Sequence, residues 1–376
     1  MTDSSVASRP ASLDELVREA RILVCCGSGG VGKTTVAAAI GMEAAKEGRK
    51  AVVVTIDPAK RLADALGLDA LTDEPGSVEG DWEGSMDALM LDTKNTFDNL
   101  VTKHAGTPEQ AEAILSNRFY RNVSGALSAT QEFMAMEKLY ELHEETDYEL
   151  IVVDTPPSRH ALDFLDAPST LTRFLEHPLF RIVIAPTRGI VKAMNVAAQA
   201  FLRTVSKVVG SEVIEDAIAF FKAFEGMEEG FRQRAARVDE LLADDGTAFV
   251  LVASPRRDTI EEATYFADQL VEADLAVRAL VVNRMHPRFG DGLAEATRER
   301  ANTLDGTDLG GLYANLADFQ LVAAREDEHL ASLASEVEPA PVVRVPFLER
   351  DVHDMDGLAE LATHLFSHDD GSRRAS

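Results

Sequence analysis

The stretch Gly27-Ser28-Gly29-Gly30-Val31-Gly32-Lys33-Thr34-Thr35 constrains the rest of the chain, because it satisfies the spacing G-x-x-x-x-G-K-[ST] at every fixed position. The preceding residues, Arg21 to Cys26 (RILVCC), read as a buried parallel strand. From Thr34 to Glu47 the apolar residues Val36, Ala37, Ile40 and Ala44 fall at helical spacing, and Gly48 supplies a stop. Strand, glycine loop and helix therefore follow one another in the order the motif requires.

The residue types explain themselves chemically. Glycines let backbone N–H groups converge on phosphate oxygens without side-chain interference, and the N-terminus of the following helix favours negative charge. Lys33 is placed to reach the outer phosphates of a nucleotide, and the Thr34 hydroxyl to ligate magnesium. The competing explanation is a glycine-rich turn that binds nothing, but Gly-Lys-Thr at the mouth of a helix has no packing rationale.

Two aspartates end later strand-like runs. KAVVVTI (Lys50 to Ile56) leads into Asp57-Pro58-Ala59, and ELIVV (Glu149 to Val153) leads into Asp154-Thr155-Pro156-Pro157-Ser158-Arg159-His160. In a doubly wound sheet such strand ends open on the ligand crevice, so both carboxylates are expected in the site. Asp57 also suits a helix N-cap ahead of Pro58, and Asp154 a turn ahead of two prolines. Further runs predict strands at Ser85 to Leu91, Thr247 to Ser254, Leu275 to Val282 and Pro341 to Val345. The acidic, Gly- and Pro-containing stretch from Asp69 to Gly84 reads as a surface excursion. The fold class implied is α/β, with a doubly wound, mostly parallel sheet.

The segments Asn95 to Thr146 and Pro168 to Asp245 have helical texture. In the second, Met194, Phe201, Phe220, Phe221 and Phe224 belong to broad apolar faces, which suit either the core of a helical lobe or a groove for an apolar ligand.

A formal net charge of −27 over 376 residues argues against a general affinity for nucleic acid or anionic lipid. The only two cysteines, Cys25 and Cys26, are neighbours on one strand and face opposite sides of it, so no disulfide framework or zinc pattern exists and a reducing, cytoplasmic setting is expected. The N-terminal MTDSSVASRPAS lacks an apolar signal core. No apolar run approaches the ~20 residues of a membrane helix, so stable membrane insertion is not expected.

With the loop, Asp57-Pro58-Ala59 and Asp154 to His160 together, the chain resembles the ArsA family of deviant phosphate-loop ATPases, from about Arg21 to Phe366. The resemblance implies a phosphate-loop NTPase core with an inserted α-helical subdomain. Its expected boundaries are a flexible tail at 1–20, core at 21–94, helical insertion at 95–146, core with switch II at 147–167, helical subdomain at 168–245, core at 246–367 and a tail at 368–376. It implies ATP and Mg as cofactors and magnesium-dependent hydrolysis. Asp57 would orient the attacking water, Asp154 would hold magnesium, and Asn283 and Pro346 would contact adenine. It further implies a homodimer, or a heterodimer with a family paralogue, opened and closed by nucleotide and coupled to a hydrophobic peptide or membrane-protein client.

Departures from the family pattern bear on rate. Ser28 stands where the family carries a signature lysine that stabilises charge across the dimer. Arg159 or Lys60 is the expected substitute cation; failing one, the chain would be a weakly hydrolysing or non-hydrolysing partner of a paralogue. Cys25 and Cys26, on a buried strand, do not resemble a metalloid site, and a zinc-clamping Cys-x-x-Cys pair is absent from the sequence.

Overall fold

A computed structural model describes residues 12–57, 60–118, 120, 128–156, 211–223, 226–290 and 292–366. Its strands are β1 (Ile22–Cys26), β2 (Lys50–Thr55), β3 (Gly76–Val78), β4 (Ser85–Met90), β5 (Leu150–Asp154), β6 (Thr247–Ala253), β7 (Val277–Met285) and β8 (Val342–Pro346). Its helices are α1 (Leu13–Glu19), α2 (Lys33–Lys46), α3 (Arg61–Ala65), α4 (Thr93–His104), α5 (Pro108–Leu115), α6 (Ser128–Glu145), α7 (Ser211–Ala223), α8 (Glu228–Leu242), α9 (Arg257–Glu272), α10 (Ala294–Thr303), α11 (Asp308–Glu336) and α12 (Met355–Leu365). The described residues fall into two units, one within Met1–Met90, Asp147–Leu162 and Ala243–Ser376, the other within Leu91–Thr146 and Asp163–Leu242.

The first unit holds one eight-stranded sheet in the order β3-β4-β2-β5-β1-β6-β7-β8, parallel at every pairing except β3 with β4. Every residue of β1, β5 and β6 is buried, which is why these strands read as unbroken apolar runs rather than alternating ones. From β1 the chain crosses to β2 on one side, and from β5 it crosses to β6 on the other. The C-terminal end of β1 is thus a topological switch point, where open parallel sheets bind ligands.

Two elements depart from the sequence expectation. Residues expected to be a flexible tail contain α1, whose Leu13, Leu16 and Val17 are 1%, 3% and 0% exposed. Ser12 caps it by accepting from the Glu15 N–H at 3.2 Å, and Arg49 Nη2 donates to the Ala20 carbonyl at 2.8 Å just past its end. Burying three aliphatic side chains at about 1.5–3 kcal/mol each accounts for the order of so short a helix. Within the expected surface excursion, β3 adds an antiparallel edge strand too short to leave a readable period. Near the C-terminus α10 and α11 are separate helices, because Thr307 caps α11 by accepting from the Gly310 N–H at 3.0 Å.

The second unit is helical among its described residues. A nearly buried ion pair ties α8 to α6: Arg234 donates through Nε to Glu137 Oε2 at 2.8 Å and through Nη2 to Glu137 Oε1, and its guanidinium lies 4.4 Å from the Tyr140 ring centre. Tyr120 stacks between Phe97 and Phe220 at centroid distances of 5.0 and 6.1 Å. Of the five apolar residues singled out above, Met194, Phe201 and Phe224 and the side chain of Phe221 lie outside the described residues; Phe220 is half-buried in this stack.

Candidate functional site

The loop leaves β1 at Gly27, whose φ of 143° and close approach to β6 both require glycine: a Cβ there would lie 2.0 Å from the Val252 carbonyl oxygen. It enters α2 through Gly32 at φ 99°, where a Cβ would lie 2.3 Å from Asn283 Nδ2. No side chain caps α2 and its first turn holds no acidic residue, so its N–H groups and positive dipole end remain open to an anion. Lys33, in that turn, is 5% exposed and donates from Nζ to the Ser28 carbonyl at 2.8 Å. Burial lowers its pKa, while Asp154, Cys26 and Asp57 oppose the shift by favouring the ammonium.

Register explains how the carboxylates arrive. Asp154 ends β5 directly beside Cys25 of β1 and Thr55 of β2, so three strand ends present one row of side chains. Asp154 Oδ2 accepts from Thr34 Oγ1 at 2.7 Å and from Thr55 Oγ1 at 2.9 Å, while Oδ1, also buried, has no hydrogen-bond partner. Burial pushes the Asp154 pKa up to about 6, against the opposing pull of the two hydroxyl donors and Lys33. Asp57 lies just past β2, with its N–H on Thr55 Oγ1 at 3.3 Å and its carboxylate 3.5 Å from Arg61 Nη1. The cap of α3 is Lys60, so Asp57 is not the N-cap that its sequence context also allowed.

These groups border a cleft of about 370 Å³ lined by Gly30, Gly32, Lys33, Thr34, Thr35, Asp57, Arg61, Asp64, Ala65, Thr155, Arg284, Val352 and His353. Its donor set suits a magnesium polyphosphate on three counts: an open helix N-terminus, a buried ammonium held by a backbone carbonyl, and a buried carboxylate oxygen still lacking a partner next to the Thr34 hydroxyl.

Comparison with known proteins decides the family. The family model for anion-transporting ATPases, ArsA_ATPase, matches residues 20–303. The chain belongs to the ArsA ATPase family. Putative arsenical pump-driving ATPase 2 of Aquifex aeolicus is 25% identical over 275 residues, 71% of this chain and 81% of the relative. The ATPase GET3 of Malassezia globosa is 24% identical over 364 residues, 95% of each chain. A putative arsenical pump-driving ATPase of Halobacterium salinarum is 31% identical over 186 residues, 46% of this chain and 28% of the relative. Membership supports an ATPase function and agrees with the eight-stranded, mostly parallel sheet.

In this ArsA-family chain the structure brings Gly30, Gly32, Lys33, Thr34, Thr35 and Asp57 to the cleft wall and seats Asp154 behind Thr34. Other expected residues serve the loop from elsewhere. Val31 packs into the core, Gly27 permits the approach to β6, and Ser28 is buried with its hydroxyl unpartnered. Gly29 is exposed on the loop and does not line the cleft. Asn283, expected at adenine, donates from Nδ2 to the Val31 carbonyl at 2.9 Å and accepts at Oδ1 from the Arg284 N–H. Pro346 ends β8 opposite Met285 and is not part of the cleft lining. Lys60 is exposed and not part of the lining either, while Arg159, with Pro58 and Ala59, lies outside the described residues.

Thr55, Thr155, Arg61 and Arg284 were not singled out from the sequence. The two threonines flank the aspartates, as Thr55-Ile56-Asp57 and Asp154-Thr155, so hydroxyls at strand ends were a usable signal. Thr155 donates to the Cys25 carbonyl at 2.8 Å and closes the row. Cys25 and Cys26 are free and buried; burial raises the Cys25 pKa well above its ordinary value and that of Cys26 to about 12, so both are neutral thiols. Among the described residues no cluster of acidic, histidine or cysteine side chains forms a separate metal site, and no helix is long and apolar enough to cross a membrane.

Proposed function

We propose that this protein binds ATP with magnesium at the cleft and hydrolyses it. The observation that carries the reading is the convergence of Lys33, Thr34 and the buried, half-partnered Asp154 at the open N-terminus of α2. In this reading Thr34 and Asp154 hold the metal, which when bound neutralises phosphate charge and orients the oxygens. The loop N–H groups and Lys33 bind and align the phosphates. Asp57, at the cleft wall and steadied by Arg61, orients water for attack. Arg159 remains a proposed catalytic cation, and Asn283 with Pro346 a proposed support for the base.

By family membership we propose a cytoplasmic dimer whose nucleotide cycle acts on a hydrophobic client through the helical unit. A second reading is favoured by Ser28, whose buried, uncharged side chain supplies no cation at that loop position. In it the chain binds nucleotide but hydrolyses weakly or not at all, and serves a paralogous partner. Phosphate release under steady-state conditions separates the two. Hydrolysis that disappears in Asp57→Asn, with ATP binding retained, supports the enzyme; binding without turnover in the parent protein supports the second reading.

A further inference from the structure

One residue of the cleft is held in a conformation that its own chemistry disfavours. Arg284 has φ 64°, the left-handed region that favours glycine and asparagine. It sits in a bulge: Val282 faces Arg344 and Met285 faces Pro346, so β7 carries one residue more than β8 between these pairs. Beside it, Asn283 Oδ1 accepts the Arg284 N–H at 2.9 Å. From the same bulge, consecutive side chains grip consecutive carbonyls of the phosphate loop. Asn283 Nδ2 donates to Val31 O at 2.9 Å and Arg284 Nη1 donates to Gly30 O at 3.0 Å.

The guanidinium of Arg284 is exposed, lines the cleft and forms no ion pair with any described residue, whereas the neighbouring Arg61 is paired with Asp57. A single bond to a neutral carbonyl leaves most of its five N–H donors and all of its charge for another partner. Strained backbone conformations that persist in a binding cleft point to a functional demand on the side chain.

We propose that Arg284 is a phosphate-contacting residue of the nucleotide site, aimed by the β7 bulge and pre-positioned by its hydrogen bond to Gly30. The inference rests on the nucleotide reading above and adds a cation to the site from outside the loop motif. Arginine suits the role because its fork can hold a loop carbonyl and a phosphate oxygen at once.

The test compares parent, Arg284→Asn, Arg284→Gly and Arg284→Lys for binding of ATP and of inorganic tripolyphosphate, each with magnesium, by calorimetry. Asn and Gly accept the left-handed backbone, so their loss of function reports the guanidinium rather than misfolding, and equal thermal melting checks this. Loss of a charge-assisted contact predicts that both variants bind both ligands about 10- to 100-fold more weakly. Arg284→Lys should lie between them and the parent, and added guanidinium ion should partly restore binding to Arg284→Gly. Unchanged tripolyphosphate affinity in the Asn and Gly variants overturns the proposal, whether or not ATP binding falls, because the contact is then not to phosphate. Weakening that guanidinium ion fails to restore also overturns it, since the side chain then acts only by holding Gly30. If the parent itself takes up neither ligand, the nucleotide reading fails first, and this inference with it.

Discussion

Replacing Asp154 by Asn separates the energetic cost of burying its carboxylate from its role toward a cation. The folded-state pKa is about 6 against an ordinary 3.8, so the protonated form is the one the fold favours. Its stabilising contribution is complete below the unfolded value and is lost as pH rises through the folded one, a span worth about 3 kcal/mol. Worked through proton linkage, this group alone makes the nucleotide-free protein about 1.4 kcal/mol more stable at about pH 5 than at about pH 7.5. Asparagine has no such titration, while carboxylates remote from this position titrate alike in both proteins. Urea unfolding of parent and Asp154→Asn at the two pH values should therefore differ in pH response by that amount. Asn should also stabilise the nucleotide-free protein near neutral pH by up to about 3 kcal/mol, less what the amide loses in bonding to Thr34 and Thr55. Magnesium and ATP should reverse the order, stabilising the parent alone, and should do so less below about pH 6 where Asp154 protonates. Parallel pH dependences in the two proteins would refute the reasoning, because the buried carboxylate would then carry no unusual proton affinity.

Leu16→Ala, at the buried face of α1, should lower unfolding free energy by about 2–5 kcal/mol, read by urea denaturation. A tail without a packing role would give no change. Gly27→Ala should cost at least about 3 kcal/mol and abolish nucleotide binding, since the new methyl meets the Val252 carbonyl while the backbone is held at positive φ. Thermal melting and calorimetry check it. Glu137→Ala leaves Arg234 nearly buried without its carboxylate and should destabilise the helical unit by about 3–5 kcal/mol. Hydrogen exchange should quicken along α6 and α8 and stay unchanged in the strands of the sheet.

What could be read from the sequence was whatever the residues declare locally. The loop has a fixed spacing, and β1, β5 and β6 are apolar throughout because both faces are covered. Asp57 and Asp154 stand at the ends of such runs. What escaped depends on pairing between distant segments. That Cys25, Thr55 and Asp154 share one row follows from the order β2-β5-β1, which no single segment encodes. Asn283 was legible as a strand-end residue, but its grip on Val31 and the left-handed turn at Arg284 come from a bulge set by β8. The α1 helix was legible in principle, since Ser12 and the spacing of Leu13, Leu16 and Val17 are a cap and an apolar stripe. It was hidden by its length and by the polar residues before it.

The central claim is that a magnesium polyphosphate is held by Lys33, Thr34 and Asp154. Calorimetric titration of ATP into the parent protein and Lys33→Ala, each with and without magnesium, tests it directly. The account predicts magnesium-dependent binding by the parent, weakened about 10- to 100-fold or more by loss of the buried ammonium. Binding that is indifferent to magnesium, or equal in the two proteins, would contradict it.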